Sequence, residues 1–192
     1  MLNENKKIKI IDASLGMNNS NNIEEAWLNP SNYLMMASNI KNGLEEYINI
    51  SFEIDKINNN YEKLKLSLIE IDSNLKALAN NANNKTIIVG SDSFKFLETY
   101  GFTVISLEEN ENLSDKIIAD VKTMIKNKMA SYIFIKDKVQ NNTVKNIINE
   151  TGVKTISLNS LSTLNANDRK DKKDYITIMQ NNINSIKQEV NN

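Results

Sequence analysis

The chain of 192 residues carries 23 Lys and Arg residues against 24 Asp and Glu residues, a formal net charge of -1. This balance provides no basic surface field for a phosphate backbone, which argues against nucleic-acid binding. Apolar residues make up 40% and charged residues 24%, as in an ordinary globular protein, and no apolar run is long enough to span a membrane. We therefore expect a folded protein without direct membrane insertion.

The sequence contains no Cys and no His. Their absence excludes disulfides, thiolate nucleophiles, Cys/His zinc sites and every catalytic device that relies on imidazole. The sequence also lacks a Walker loop and a Gly-x-Gly-x-x-Gly motif, and no motif joins a Ser to a catalytic Lys. We therefore predict that the protein is not an enzyme, with no catalytic and no cofactor-binding residues.

The N-terminal part predicts a strand, a loop and a helix. Ile8–Asp12 is a short apolar run typical of a strand, and the Asn-rich segment Asn18–Asn22 indicates a polar loop. Asn29 is a suitable N-cap and Pro30 a suitable first helical residue, because proline lacks only an N–H that is unpaired at that position. Apolar residues then recur three and four apart, which predicts an amphipathic helix that reaches Ile48.

The strongest periodic signal in the sequence predicts one long helix. Its apolar residues alternate steps of three and four: Ile54, Ile57, Tyr61, Leu64, Leu68, Ile71, Leu75 and Leu78. A coiled coil and a long helix packed along its own globular body both fit this spacing. We favour the second interpretation because the chain continues as α/β rather than as further heptads. The residues expected to be buried are Ile57, Leu64, Leu68, Ile71 and Leu75.

From Lys85 onwards, short apolar runs alternate with helical patterns. Strands are predicted at Thr86–Val89, Phe102–Ser106, Tyr132–Ile135 and Val153–Ile156, and helices at Ser93–Tyr100, Ile117–Ile125, Val144–Ile148 and Tyr175–Ile186. Gly101 and Gly152 are suitable helix ends, and Ser114 is a suitable helix start. This alternation indicates an α/β fold with a four-stranded parallel sheet flanked by helices and joined to the long helix.

Two further features have a structural and a functional interpretation. The segment Arg169–Asp174 mixes both charge signs, and we interpret it as a solvated loop rather than a nucleic-acid patch. Trp27 is the only tryptophan, and we interpret it as a core anchor at a helix start rather than a ligand-stacking residue.

Several stretches occur in a characteristic order: Trp27-Leu28-Asn29-Pro30, the long helix from Tyr61 to Leu78, Val89–Phe96, Tyr100-Gly101-Phe102, Glu150–Val153, Ile156–Leu161 and the final helix Tyr175–Ile186. In this order they resemble the substrate-binding proteins of bacterial zinc and manganese ABC importers. The resemblance implies a transport role with an ABC permease as partner. It also implies an extracellular or cell-surface location, although the sequence as given has no signal-peptide core and no Cys for lipidation.

The metal-ligand positions of this family correspond, by resemblance, to residues that are poor zinc ligands. The second, third and fourth ligand positions correspond to Glu25, Ser91 and Asn159, and the first has no counterpart. Zinc requires three or four strong donors, which one carboxylate, one hydroxyl and one amide do not supply. We therefore predict no high-affinity metal site and no cofactor, with zinc or manganese implied by the resemblance alone.

Three charged residues lie close to these positions. Asp12 and Asp92 offer oxygen atoms for a weak site for a hard cation, although acidic residues at strand ends usually cap turns or face solvent. A family Glu corresponds to a position close to Lys136, which would raise the free energy of any cation bound nearby.

The resemblance also divides the chain into three parts. Residues 1–29 correspond to the remnant strand and loop of a first lobe, residues 30–84 to a helix pair with the long linking helix, and residues 85–192 to the C-terminal lobe. The chain then resembles a degenerate or truncated family member. An alternative function is a self-associating surface or scaffold module, a homo-oligomer formed through strand Ile8–Ile11 or the Trp27 region, because an unpaired apolar strand favours edge pairing.

Overall fold

The computed structural model describes residues 8–17 and 25–191. Within these residues, six α-helices follow one another as α1 (Pro30–Tyr47), α2 (Ser51–Asn80), α3 (Asp115–Lys126), α4 (Asn142–Thr151), α5 (Ala166–Lys170) and α6 (Tyr175–Val190). The same part of the chain forms four strands, β1 (Thr86–Val89), β2 (Thr103–Ser106), β3 (Tyr132–Lys136) and β4 (Lys154–Leu158), and 3-10 helices at Ala26–Leu28 and Asp92–Tyr100. Among the described helices, none is both long and apolar enough to cross a membrane.

The four strands form one parallel sheet in the order β2-β1-β3-β4. The chain therefore builds one half of the sheet with β1 and β2 and the other half, in the opposite direction, with β3 and β4. The strand order reverses between β1 and β3. In open α/β sheets, such a reversal opens a crevice at the carboxyl ends of the strands, where ligands bind. The predicted α/β fold with a four-stranded parallel sheet flanked by helices is confirmed.

Helices cover both faces of the sheet. Because successive strand residues point to opposite faces, neighbouring residues of one strand are buried in different cores. Ile87 and Val89 of β1 belong to the core that also contains residues of α2 and α6. Ile88 belongs to the opposite core, which contains Val121 of α3 and Ile147 of α4. All five side chains are at most 1% exposed, so the strands are buried on both faces.

The long helix is confirmed, but its apolar stripe is buried over only part of its length. Leu68, Ile71 and Leu75 are each 1% exposed, whereas Ile57 and Leu64 are only half-buried. The buried part packs against α6 and the core of the sheet, whereas the N-terminal part of α2 pairs with α1. The prediction that the whole apolar stripe is buried was therefore wrong for Ile57 and Leu64. At these positions α2 packs only against one other helix, which covers less of its surface than the α/β core does.

The prediction of a strand at Ile8–Asp12 is wrong, because this segment has no regular secondary structure. The segment and the turn after it lie instead against α1. The Asn39 side-chain amide donates to two carbonyls of that turn, each at 2.9 Å. The Ile11 side chain sits so close to Gly43 that a Cβ there would lie 2.6 Å from it. An apolar segment forms a strand only where a neighbouring strand supplies hydrogen-bond partners. No strand of the four-stranded sheet pairs with Ile8–Asp12.

Two loop predictions have different outcomes. The predicted loop Asn18–Asn22 lies outside the described residues. The loop predicted at Arg169–Asp174 begins within α5, so this prediction is wrong at its N-terminal end. A cap and an ion pair stabilise this short helix: the Asn165 side chain accepts from the Asp168 N–H at 3.0 Å, and the Asp168 carboxylate pairs with Lys173 at 2.8 Å.

Candidate functional site

A polar cluster lies at the carboxyl ends of β1, β3 and β4, beside the reversal of strand order between β1 and β3. Lys136 is the last residue of β3, Ser93 follows β1, and Ser162 follows β4. Glu25 comes from another part of the chain, directly before the first 3-10 helix. We call these four residues the central cluster.

The Glu25 carboxylate accepts hydrogen bonds from all three other members of the central cluster. Lys136 Nζ lies 2.9 Å from Glu25 Oε1, and the Ser162 hydroxyl donates to the same oxygen at 3.0 Å. The Ser93 hydroxyl donates to Oε2 at 2.5 Å and accepts from Lys136 Nζ at 3.4 Å. The Glu25 side chain is 9% exposed and that of Lys136 28%, so this ion pair is largely shielded from water.

The backbone beside the central cluster adopts left-handed conformations that favour glycine. Glu25 has φ 55°, Asp137 has φ 51° and Leu161 has φ 60°. Such a conformation costs a non-glycine residue about 1–3 kcal/mol and persists where the surrounding contacts stabilise it. The three strained residues are Glu25 itself, Asp137, which directly follows Lys136, and Leu161, which lies between Ser160 and Ser162. The contacts of this region therefore hold the cluster in place against backbone strain.

A second layer of hydrogen bonds fixes the loops that carry the cluster. The Ser160 hydroxyl donates to the Asp137 carboxylate at 2.5 Å and lies 2.7 Å from the Ser162 hydroxyl. Trp27 Nε1 donates to the Ser160 carbonyl at 3.0 Å, and the Tyr175 hydroxyl donates to the Trp27 carbonyl at 2.9 Å. Trp27 also packs against the hydrophobic core, in agreement with its predicted role as an anchor.

The environment of Glu25 favours its charged form. Burial alone would raise its pKa, but hydrogen bonds from Ser93, Lys136 and Ser162 and the charge of Lys136 outweigh burial, so the pKa lies below its ordinary value of 4.5. A carboxyl whose pKa is lower in the folded state stabilises the fold at pH values above its unfolded pKa. That contribution is lost as the pH falls through the lowered folded pKa.

We predict a pH-dependent stability difference between the wild-type chain and Glu25→Gln. The wild type should melt at the higher temperature at neutral pH, because Gln keeps the shape of the side chain but loses the charge. The difference should shrink as the pH falls from 4.5, where the carboxyl of the unfolded chain becomes protonated, through the lowered pKa of the folded chain. Thermal unfolding followed by circular dichroism measures both proteins across this range. A difference that does not change with pH would contradict the assigned ionic role.

Of the residues predicted for the site, Glu25 and Lys136 are in direct contact. Ser91 is joined to them indirectly, because its hydroxyl lies 3.1 Å from that of Ser93. Ser91 is 6% exposed, so this hydroxyl pair is shielded from solvent.

Other candidate residues use their side chains elsewhere. The Asn159 side chain accepts a hydrogen bond at 2.7 Å from a backbone N–H two residues further on, which stabilises its own loop. The Asp92 carboxylate pairs with Lys95 at 3.0 Å and accepts from Asn110 at 3.1 Å. The exposed Asp12 carboxylate accepts at 2.9 Å from the backbone of the turn that follows it. The structure therefore places these three side chains in local contacts rather than in the central cluster.

Sequence reasoning missed Ser93 and Ser162 as members of the site. The available signal was a repeated Ser-x-Ser pattern, at Ser91–Ser93 and at Ser160–Ser162, each beginning two residues after the end of a strand. Because the carboxyl ends of parallel strands meet at one edge of the sheet, two such patterns place four hydroxyls at the same edge.

The central cluster contains one carboxylate, two hydroxyls and one ammonium. Within the described ranges, no three His, Cys, Asp or Glu side chains lie close enough together to hold a metal ion. Zinc prefers imidazole, thiolate and carboxylate ligands, so this donor set does not fit a zinc site. Its oxygens suit a hard cation, and the ammonium of Lys136 already contacts them.

Comparison with known protein sequences identifies relatives among zinc-binding proteins. The zinc-binding protein AdcA of Streptococcus pyogenes is 26% identical over 167 residues, which cover 84% of this chain and 32% of that protein. The zinc-binding lipoprotein AdcA of Streptococcus pneumoniae is 25% identical over 170 residues, which cover 84% of this chain and 33% of that protein. The chain thus spans about a third of the length of these relatives.

Solved structures share the fold of this chain, and a family model identifies its family. The metal-dependent lipoprotein YcdH of Bacillus subtilis has a TM-score of 0.80 at 20% identity, covering 99% of this chain and 74% of that chain. The Zn(II)-bound ZnuA-like domain of Streptococcus pneumoniae AdcA has a TM-score of 0.77 at 21% identity, covering 98% and 73%. The family model described as ZnuA, zinc-uptake complex component A periplasmic, matches residues 1–189. The chain therefore belongs to the ZnuA family, whose members are solute-binding proteins of zinc ABC importers and not enzymes.

Proposed function

We propose that this chain is a solute-binding homologue of a metal ABC importer whose site does not bind zinc or manganese with high affinity. The contact between Lys136 Nζ and Glu25 Oε1, at 2.9 Å, is the observation that supports this proposal. A metal ion at the Glu25 carboxylate would have to displace this ammonium or lie beside it. On this proposal, the metal site of the family is degenerate in this chain.

Electrostatics and donor chemistry both oppose a metal ion here. Two like unit charges 4 Å apart repel each other by about 4 kcal/mol at the effective dielectric constant typical of protein surfaces, and a divalent ion doubles this cost. Glu25 is the single carboxylate of the central cluster, and Asn159 and Asp92 make other contacts. The attraction of one carboxylate for the metal is therefore largely offset by Lys136.

Titration calorimetry tests the proposal directly. At neutral pH, we expect neither Zn²⁺ nor Mn²⁺ to bind the wild-type chain with a sub-micromolar dissociation constant, because the central cluster lacks enough strong donors. Glu25→Ala serves as the matched control for any weak binding. A sub-micromolar affinity for Zn²⁺ that Glu25→Ala abolishes would overturn the proposal.

We propose that the partner is an ABC permease and that the protein acts at the cell surface or outside the cell. A relative that is itself a lipoprotein supports this location. We further propose that residues 30–84 are the linking helix pair, that residues 85–192 are the C-terminal lobe of the family fold, and that residues 1–29 remain from a first lobe. Because the chain spans about a third of its curated relatives, the transport role of a whole importer component is part of the proposal.

A second candidate function is self-association, which a set of exposed apolar side chains favours. Ile8 is 48% and Ile10 is 56% exposed on the N-terminal segment. Ile50 is 62% and Phe52 is 67% exposed where α1 is connected to α2. Trp27 is half-buried and anchored to Ser160, which leaves the N-terminal segment as the surface for this candidate.

We predict that polar substitution of Ile10 reduces any self-association of the chain. Static light scattering of the wild type at high protein concentration should give a mass above that of the monomer, and Ile10→Lys should lower it, because the substitution removes exposed apolar area and adds charge repulsion between copies. Val139→Lys is the matched control, since Val139 is 69% exposed in the turn after β3. A wild-type chain that stays strictly monomeric would remove the support for a scaffold role.

A further inference from the structure

We infer that Lys136 is the resident cation of the central cluster, where its tethered ammonium fills a site whose oxygens suit a monovalent cation of ammonium size. The inference rests on the proposed function, because a site that the protein's own Lys136 side chain occupies has no room for a metal ion. It goes further, because it assigns to one side chain both the occupancy of the site and the exclusion of other cations.

The geometry around Lys136 Nζ is that of a coordinated ammonium ion. Nζ lies 2.9 Å from Glu25 Oε1 and 3.4 Å from Ser93 Oγ. The first distance is typical of a charge-assisted hydrogen bond, and an ammonium carries three donors for such contacts. Ser162 donates to the same Glu25 oxygen and thereby fixes the carboxylate that faces the ammonium.

The position of the ammonium in the fold is that of a ligand. The central cluster lies at the carboxyl ends of parallel strands, beside the reversal of strand order between β1 and β3. Open α/β sheets bind their ligands at this place. Glu25 reaches it from a segment 111 residues before Lys136, so the ammonium joins two distant parts of the chain as a bound ion would.

The tether explains why a free ion does not replace this ammonium. Lys136 is the last residue of β3, and its backbone is in register with Leu158 of β4. A group held on such a short tether competes at a high effective concentration against ions in solution. Once the ammonium is removed, the 9% exposed Glu25 carboxylate is left without this cation, and a small monovalent ion can take its place.

Chemical rescue of Lys136→Ala tests the inference. We expect the variant to melt at a lower temperature than the wild type. Ammonium chloride should restore at least about half of that loss, because free ammonium reproduces the donors of the missing group. Tetramethylammonium chloride at the same ionic strength should restore none of it, because tetramethylammonium has no N–H donor. Equal recovery in the two salts would overturn the role of Lys136.

Two control variants separate this effect from general salt effects. Lys136→Met fills the space with an apolar chain, so ammonium should not raise its melting temperature more than tetramethylammonium does. Lys122→Ala breaks an ion pair of 2.8 Å whose partner Glu150 is 52% exposed, and ammonium should have no specific effect there. An ammonium-specific rescue in either control would contradict the inference.

The test remains decisive if Lys136→Ala does not fold in plain buffer. The refolding yield then replaces the melting temperature, and ammonium should raise it where tetramethylammonium does not. The result is also separate from that of the zinc titration. Tight zinc binding by the wild-type chain would overturn the proposed function, whereas equal recovery from both salts would overturn only the assignment of Lys136.

Discussion

Leu68→Ala should lower the free energy of unfolding by about 2–5 kcal/mol, the range for truncating a large aliphatic residue in a core. Leu68 lies in α2 and is 1% exposed, so the substitution removes buried apolar surface and leaves a cavity that its neighbours fill only in part. Urea denaturation followed by circular dichroism measures the change, provided that the slope with denaturant stays constant.

Leu66→Ala is the matched control for this measurement. Leu66 lies on the same helix two residues away and is 66% exposed, so the same substitution removes almost no buried surface. We expect a change within about 0.5 kcal/mol, as is usual for surface positions. Equal destabilisation by the two substitutions would contradict the assigned orientation of α2, and it would favour a helix that presents another face to the core.

The second large effect is expected at the ion pair of the central cluster. Glu25→Gln and Lys136→Met should each cost about 2–3 kcal/mol, less than the 3–5 kcal/mol of a fully buried pair. The expected cost is lower because the Lys136 side chain is 28% exposed, so water partly screens its charge. The double variant should cost less than the sum of the two, with a coupling energy of about 1–3 kcal/mol measured by denaturant unfolding.

The exposed pair Lys122–Glu150 provides the comparison for this cycle. Its two charges are 2.8 Å apart, close to the 2.9 Å of the central pair, but Glu150 is 52% exposed. Lys122→Met, Glu150→Gln and their double variant should show a coupling energy below about 1 kcal/mol, the usual upper range for surface ion pairs. Similar coupling energies for the two pairs would mean that burial does not strengthen the contact of Glu25 with Lys136.

Most of the secondary structure could be predicted because its signals are local. The Asn29 side chain caps α1 through the Ser31 N–H, and Ser114 caps α3. Gly101 and Gly152 end their helices as predicted, with φ values of 93° and 71° that are typical of left-handed caps. Each of these contacts joins residues a few positions apart, so the sequence around them carries enough information.

The errors in the fold arise where distant parts of the chain decide the structure. Ile8–Asp12 has the pattern of a strand, but strand formation depends on a partner that the pattern does not reveal. Whether Ile57 is buried depends likewise on how far the α/β core reaches along α2. Neither outcome is encoded in the spacing of apolar residues.

Two of the four positions in the central cluster could be predicted from the sequence, but the contacts between them could not. Glu25 and Lys136 were each noted, yet their ion pair joins residues 111 positions apart and requires the folded sheet. Asn159 and Asp92 were noted for their positions after strands, but local turns and ion pairs use their side chains. Side-chain direction after a strand depends on loop geometry, which a single sequence does not specify.

Anomalous diffraction at the zinc absorption edge, from crystals grown with excess zinc chloride, tests the central claim most directly. The claim is that Lys136 occupies the place of a metal ion in the central cluster. We predict no anomalous peak at the cluster, with Lys136 Nζ within hydrogen-bonding distance of the Glu25 carboxylate. A peak about 2.0–2.2 Å from a Glu25 carboxylate oxygen, with the Lys136 side chain displaced, would contradict the account.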